Sequence, residues 1–175
     1  MIKEYKLPFT KEQLEELQAG TQILLTGIIY TARDAAHKRL IEALERDEEL
    51  PLPIEHSIIY YVGPTPARPN HAVGSAGPTT STRMDAYAPT LYDLGMSASI
   101  GKGRRTAIVK EAIQRNKAVY FVTIGGAGAY LSECIKEAEV IAYEDLGAEA
   151  IYKLRVEKFP VIVGIDSTGT DVYEK

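Results

Sequence analysis

The sequence contains a single cysteine, Cys134, among 175 residues, and it has no tryptophan. One cysteine cannot form an internal disulfide, and it cannot supply the several thiolates that structural zinc sites and iron–sulfur clusters require. A cluster held entirely by this chain is therefore excluded. Cys134 stands in the apolar pattern AYLSECI, which favours a small buried core residue.

Long apolar runs and an excess of positive charge are also missing. No stretch approaches the roughly 20 apolar residues of a membrane-spanning helix, and the first residues, MIKEYKLPF, lack the hydrophobic core of a signal peptide. The formal net charge is -4 and the sequence pI is about 5.5, so the overall field repels a phosphate backbone. We therefore expect a cytoplasmic protein without a membrane or nucleic-acid partner.

The remaining composition is that of a folded α/β protein. Hydrophobic residues make up 45% of the chain and charged residues 25%, and the length suits one domain covering residues 1–175. QILLTGIIY and AVYFVTI are typical of buried strands, whereas TARDAAHKRLIEALERDEE has the spacing of an amphipathic helix. Strands and helices that mix without strict βαβ alternation predict a layered α/β architecture with a mixed sheet.

Three segments carry more detailed expectations. Thr10 is placed to cap a short helix over KEQLEELQ. In RRTAIVKEAIQRN, the spacing predicts that Ile108, Ala112 and Ile113 face the core. The C-terminal stretch AIYKLRVEKFPVIVGIDSTGTDVYEK predicts two or three strands with a turn at STGT.

One segment, VGSAGPTTSTRMDAY at residues 73–87, has little to bury; we call it the hydroxyl loop. Its glycines and Pro78 allow tight turns that expose backbone N–H groups, and the hydroxyls of Thr79 and Thr80 add short donors. Arg83 adds a planar fork that matches a carboxylate. The alternative is a Ser/Thr-rich turn that caps the next helix.

A second candidate segment is TARDAAHKRL, where a strand ends and a helix begins. Arg33 and His37 are four residues apart and share a helix face, and Asp34 lies near the positive end of the helix dipole. The alternative is an exposed helix start with a surface pair between Asp34 and Lys38.

A third candidate is Lys102 in SASIGKGRRT, where the flanking glycines leave its ammonium group accessible. The segment fails the P-loop pattern, because a glycine follows the lysine instead of serine or threonine. Together, Arg33, Arg83 and Lys102 place one cation in each of three separate loops. Such an arrangement suits an anion with two charged ends.

The segment VYFVTIGGAGAYL invites comparison with the dinucleotide-binding fingerprint. Leu131 stands where the third glycine or an alanine is needed, and the segment lies late in the chain. A nucleotide-binding enzyme is therefore a weak alternative. Gly125, Gly126 and Gly128 more readily allow close backbone packing or line one wall of a site.

Taken in order, LTGIIYTARDAAHKR, GPTTSTRMD, IGKG, GGAGAYL and DSTGTDVYEK resemble segments of one family over nearly the whole chain. The family comprises the β subunits of class I iron–sulfur fumarases and L(+)-tartrate dehydratases, whose region is the C-terminal domain in single-chain members. The resemblance implies a swivelling β/β/α domain and reversible addition of water to a dicarboxylate double bond. It also implies a partner α subunit that holds a 4Fe-4S cluster through three cysteines, and hence a hetero-oligomer.

The resemblance also implies roles for individual residues. Arg33, Arg83 and Lys102 would hold the substrate carboxylates, and Thr79 or Thr80 would lie beside the reacting carbon. Thr79 is the first choice for the base that removes a proton from that carbon. His37 is a competing acid/base candidate, because its unperturbed pKa lies near neutrality, or it supports Arg33.

Three functions remain open at this point. Fumarate and tartrate differ by hydroxyl groups, so a fumarate hydratase subunit and an L(+)-tartrate dehydratase subunit both fit. A non-catalytic module that binds dicarboxylates would need only the three cations.

Overall fold

Parallel strands that alternate with helices form the first two thirds of the protein. The computed structural model describes residues 2–67, 69–123 and 127–174. The strands are β1 (Lys3–Lys6), β2 (Gln22–Thr31), β3 (Ile58–Tyr60), β4 (Ala98–Gly101), β5 (Val119–Val122), β6 (Ile135–Ala142) and β7 (Ile151–Ile165). The helices are α1 (Lys11–Glu16), α2 (Asp34–Glu45), α3 (Ala88–Asp93), α4 (Ala107–Asn116) and α5 (Gly128–Glu133). Short 3-10 helices cover Ser81–Met84 and Glu144–Glu149.

The seven strands form one mixed sheet in the order β1-β2-β3-β4-β5-β7-β6. β1 to β5 run parallel, and β7 is antiparallel to β2, β5 and β6. Because β7 also pairs with β2, the sheet closes on itself as a barrel. The predicted α/β class with a mixed sheet is confirmed.

The β-rich C-terminal segment differs from the sequence prediction. The expected two or three strands are wrong, because one strand, β7, spans 15 residues. Pro160 remains in the ladder opposite Leu24. The strand bends where Lys158 adopts a φ of 49° and its backbone N–H donates to the hydroxyl of Thr26 at 3.0 Å. This bulge lets one strand remain paired with β2 on both sides of Lys158.

Alternating side chains in the strands build two separate cores. Ile58 and Tyr60 face the barrel interior together with Phe121, and α1 and α5 add apolar side chains to that cluster. Ile59 and Tyr61 face the opposite way, toward a second cluster that contains buried residues of α2, α3 and α4. The helices α2, α3 and α4 therefore form an outer layer around a filled barrel, whereas α1 and α5 pack against its interior cluster.

Several local expectations can be compared with the structure. Thr10 caps α1 with a reciprocal hydrogen-bonding box, and Cys134 is buried, as predicted. Ala112 and Ile113 are buried as expected, but the prediction for Ile108 is wrong: it is 54% exposed, and Val109 takes the inward position. The antiparallel strands β6 and β7 break the alternation of strands and helices, as expected, although each of the parallel strands β1 to β5 is followed by a helix.

No helix among the described residues combines the length and the apolar character that crossing a membrane requires.

Candidate functional site

Three of the candidate loops leave the same edge of the barrel. β2, β3 and β4 are neighbouring parallel strands, so the segments that follow them start side by side. Thr80 and Lys102 form an isolated parallel bridge, and the N–H of Ser81 donates to the carbonyl of Lys102 at 2.9 Å. The hydroxyl loop is thereby joined to residues 102–106, which we call the lysine loop. Ligands of parallel α/β proteins usually bind at this carboxyl edge.

Arg33, Asp34 and Arg83 form a charged group at this edge. The Nε of Arg83 donates to Oδ2 of Asp34 at 3.0 Å, which joins the hydroxyl loop to the start of α2. The Nη groups of Arg83 have no hydrogen bond to a described residue, and its side chain is 51% exposed. Asp34 therefore orients the guanidinium of Arg83 through Nε and leaves the two Nη groups for an anion. The surface pair with Lys38 is not formed; Asp34 contacts arginines instead.

The side chain of Arg33 is more enclosed than that of Arg83. It is 25% exposed, and a Cβ added at Gly63 would lie 3.3 Å from its Cδ. The Nε of Arg33 and Oδ1 of Asp34 are buried, lie 4.0 Å apart and have no hydrogen-bond partner among the described residues. A buried N–H without a partner is costly, so this edge has unused capacity to bind an acceptor.

The threonines of the hydroxyl loop do not cap a helix. Thr80 precedes the 3-10 helix Ser81–Met84 without a side-chain capping bond, and α3 starts after Tyr87, which also makes none. The side chains of Thr79, Thr80 and Thr82 have no hydrogen bond to a described residue. The backbone N–H of Thr79 donates to the carbonyl of Tyr61 at 2.7 Å. The backbone is thus fixed, while the hydroxyls stay available.

His37 lies beneath the site rather than on its surface. It is fully buried, and its ring stacks on Tyr87 and meets the edge of Tyr61. The Nδ1 is 2.9 Å from the carbonyl of Arg33, so this nitrogen carries the proton and donates. Burial lowers the pKa of His37 to about 4, against the opposing effect of that hydrogen bond. His37 is therefore neutral near pH 7 and fixes the backbone at Arg33.

Lys102 lies exposed between two glycines with different functions. Gly103 has a φ of 86°, a left-handed conformation that glycine adopts without strain. Gly101 ends β4, and a Cβ there would meet the side chains of Ser81 and Tyr61. Lys102 itself is exposed to solvent. A groove of about 390 Å³ lies near Leu24 and Tyr130, and none of the three cations lines it.

A buried ion pair under the two loops was not identified from the sequence. Arg105 donates from Nε to Oδ1 of Asp85 at 2.7 Å, and the side chains are 0% and 6% exposed. The guanidinium also donates to Ser99 and Tyr61, both at 3.1 Å. The available signals were two charged residues close to the candidate cations: Arg105 is the second residue after the turn at residues 101–103, and Asp85 lies two residues past Arg83.

The glycine-rich segment is described only in part. Gly125 and Gly126 lie outside the described residues. Gly128 begins α5 and is buried, and a Cβ there would lie 3.0 Å from the N of Gly77 in the hydroxyl loop. Close backbone packing, one of the two expectations for these glycines, holds for Gly128. Within residues 2–67, 69–123 and 127–174, no three His, Cys, Asp or Glu side chains converge in a way that could hold a metal ion.

Comparison with known proteins gives a consistent result over the whole chain. A family model described as "Fumarase C-terminus" matches residues 2–175. "Fumarate hydratase 2" of Leishmania major is 37% identical over 167 residues, which are 94% of this chain and 29% of that protein. "Fumarate hydratase class I, anaerobic" of Escherichia coli (strain K12) is 39% identical over 165 residues, which are 93% of this chain and 30% of that protein.

A relative of similar length is also found. The "Putative L(+)-tartrate dehydratase subunit beta" of Methanocaldococcus jannaschii is 37% identical over 172 residues, which are 95% of this chain and 88% of that protein. The chain thus spans somewhat less than a third of the fumarate hydratases but most of the tartrate dehydratase subunit. The match over residues 2–175 and these identities show that the chain belongs to the fumarase C-terminus family.

Proposed function

We propose that this chain is the β subunit of a hydro-lyase that reversibly hydrates fumarate to L-malate. The observation that carries the proposal is that three loops, each bearing one cation, meet at one edge of the barrel. The threonine hydroxyls of the hydroxyl loop lie at the same edge and make no helix-capping hydrogen bond. Cations on separate loops match a substrate with a carboxylate at each end. The names of the relatives, fumarate hydratase and tartrate dehydratase subunit beta, give the same reaction class.

The reaction sets specific requirements for these residues. In the dehydration direction, the C–H bond beside one carboxylate breaks and a base takes the proton. The electron pair of the C–H bond forms the carbon–carbon double bond, and the C–O bond at the neighbouring carbon breaks, so that the oxygen leaves with its electron pair as hydroxide. Negative charge develops on the carboxylate beside the C–H bond, so a fixed guanidinium stabilises the transition state more than the ground state. We assign carboxylate binding to Arg33, Arg83 and Lys102, with Thr80 donating beside them.

Thr79 is our candidate for the proton-transfer group. A neutral hydroxyl is a weak base, so this role requires nearby positive charge, which Arg83 and Lys102 would supply. His37 fits proton transfer less well, because it is fully buried and its protonated form is disfavoured. We propose that His37 supports Arg33 through its carbonyl instead.

The 4Fe-4S cluster implied by the family resemblance does not fit this chain. The single cysteine is buried in the barrel cluster, and the described residues contain no set of three His, Cys, Asp or Glu side chains that could hold a metal ion. We propose that a partner α subunit holds the cluster and completes the site. The exposure of Arg83 and Lys102 supports this division, since an isolated open edge would leave a bound dicarboxylate in water.

Arg83→Ala tests the proposal in the assembled enzyme. The chain is purified anaerobically with its partner, iron is measured, and fumarate loss is followed by absorbance. Loss of an arginine that stabilises developing charge should lower kcat by about 100- to 1000-fold while leaving the folded state intact. Arg115→Ala is the matched control, because Arg115 is 53% exposed and pairs with Asp93 at the opposite barrel edge. Near-normal turnover of Arg83→Ala would contradict the assignment.

The same preparation distinguishes the alternatives. Turnover of L(+)-tartrate in preference to malate would reassign the substrate, which differs by one hydroxyl. A non-catalytic module predicts that the chain purifies alone, free of iron, and binds fumarate tightly in calorimetry. A half-site predicts weak or absent binding by the chain alone.

A further inference from the structure

The buried ion pair between Arg105 and Asp85 lies directly beneath the hydroxyl and lysine loops. Asp85 accepts two strong hydrogen bonds, from Nε of Arg105 at 2.7 Å and from the backbone N–H of Thr106 at 2.7 Å. The guanidinium lies against the rings of Tyr61 and Tyr120, with its Cζ 5.2 Å and 4.7 Å from their centroids. Both carboxylate oxygens of Asp85 and all three guanidinium nitrogens of Arg105 are therefore used within the protein.

This pair connects the two loops that carry the candidate site residues. Asp85 lies two residues after Arg83 in the hydroxyl loop, and Arg105 lies three residues after Lys102 in the lysine loop. Tyr120 adds a second connection, because its hydroxyl is 2.7 Å from Oγ of Ser81 and donates to the carbonyl of Gly103 at 2.8 Å. The backbones of both loops are thus held from below.

Stability alone is a poor explanation for this arrangement. Burying two charges carries a desolvation penalty that their attraction barely offsets, and apolar residues of similar volume often replace such pairs without loss of stability. An ion pair does impose what apolar packing cannot, namely fixed distances and directions between its groups. Fixed geometry is valuable where groups from different loops must bind one small ligand.

We propose that Arg105 and Asp85 are positioning residues that hold the hydroxyl loop in fixed register with the lysine loop. The inference rests on the proposed function for its effect on turnover, but its effect on loop order is independent of that function. Neither residue touches the substrate in this proposal. They act by keeping the cation of one loop at a constant separation from the cation of the other.

The test compares turnover with thermal stability in the complex of the chain with its partner. The double variant Asp85→Leu/Arg105→Met replaces the pair by apolar residues and should keep the melting temperature within a few degrees. Its kcat/KM for fumarate should fall about 100-fold, since displacement of reacting groups by about 1 Å costs that much. Arg105→Lys keeps the charge without the fork and should recover only part of the loss. Full activity of the double variant would overturn the proposal.

Hydrogen exchange of the full chain gives a readout that does not depend on catalysis. Amides of residues 79–84 and 102–106 should exchange at least about 10-fold faster in the double variant, whereas exchange in the barrel strands stays unchanged. Asp93→Asn is the control, because it breaks an exposed ion pair at the opposite edge. Unchanged exchange in both loops would overturn the proposal. An inactive wild-type complex would instead refute the proposed function, and the exchange result would still decide the positioning role.

Discussion

Acidification should destabilise the protein through His37. The ring is fully buried, its Nδ1–H is bound to the carbonyl of Arg33, and Nε2 has no partner among the described residues. A proton added at Nε2 would place a charge in the core near the guanidinium of Arg105, which also opposes protonation. The unfolded chain has no such restriction, so it takes up the proton at a higher pH.

The size of the effect follows from the two pKa values. The pKa of His37 is lowered from 6.5 to about 4 in the folded protein. Because the unfolded state binds the extra proton first, stability is complete above pH 6.5 and is lost as the pH falls toward 4. The loss from pH 8 to pH 5 is about 2 kcal/mol, and it grows to about 3 kcal/mol near pH 4. With a urea slope of about 2 kcal/mol per molar, the midpoint should fall by about 1 M between pH 8 and pH 5.

Urea unfolding at several pH values, followed by circular dichroism, measures this loss. His37→Gln removes the titrating ring, so its free energy of unfolding should depend less on pH by about 2 kcal/mol over the same range. His56→Gln is the matched control, because the side chain of His56 is 68% exposed. If wild type and His37→Gln lose stability in parallel from pH 8 to pH 5, the reasoning from burial is refuted.

Three further predictions concern the loops and one control helix. Tyr120→Phe removes the hydroxyl between Ser81 and Gly103, so we expect a loss of about 1 to 3 kcal/mol in urea unfolding and a lower kcat. Gly101→Ala places a Cβ 2.9 Å from Tyr61, so thermal melting should show a destabilisation of about 1 to 3 kcal/mol and turnover should drop. Thr10→Ala removes the cap of α1 and should cost about 1 kcal/mol with unchanged kcat.

Distinct outcomes would contradict each of these three. Wild-type stability of Tyr120→Phe would mean that its hydroxyl does not hold the two loops. Full activity of Gly101→Ala would mean that the hydroxyl loop tolerates displacement. Reduced turnover in Thr10→Ala would contradict the separation of the site from α1, which lies at the amino edge of the barrel near Lys117.

Local patterns in the sequence predicted much of the architecture. The amphipathic repeat of α2, the capping threonine of α1 and the apolar run of β5 each specify their element through near neighbours. The candidate cations could be chosen because each stands in a loop with little to bury. Their convergence follows from the parallel order of β2, β3 and β4, which requires pairing between distant residues.

The misjudged features depend on tertiary contacts. In the sequence, Pro160 and the charged residues before it suggest that a strand ends there. β7 nevertheless stays one strand, because β2 pairs with it on both sides of the bulge at Lys158. Ile108 is exposed because the N-terminal turn of α4 is oriented by the bond from Thr106 to Asp85, which turns Val109 inward. The ion pair of Asp85 and Arg105 joins residues that are 20 apart in sequence, so the residues around either one do not identify its partner.

Because β7 closes the barrel, the fold cannot be completed until β7 has been synthesised. Ile23 pairs with Val161 and Tyr30 pairs with Lys153, so these contacts join residues separated by well over a hundred positions. On the ribosome, β2 and β5 therefore keep unpaired edges until the last strand has emerged, seconds after their own synthesis. Contacts of such long range slow the folding search, and exposed strand edges favour association between nascent chains. The same strand that completes the native barrel thus sets the interval during which the edges of β2 and β5 are open to association.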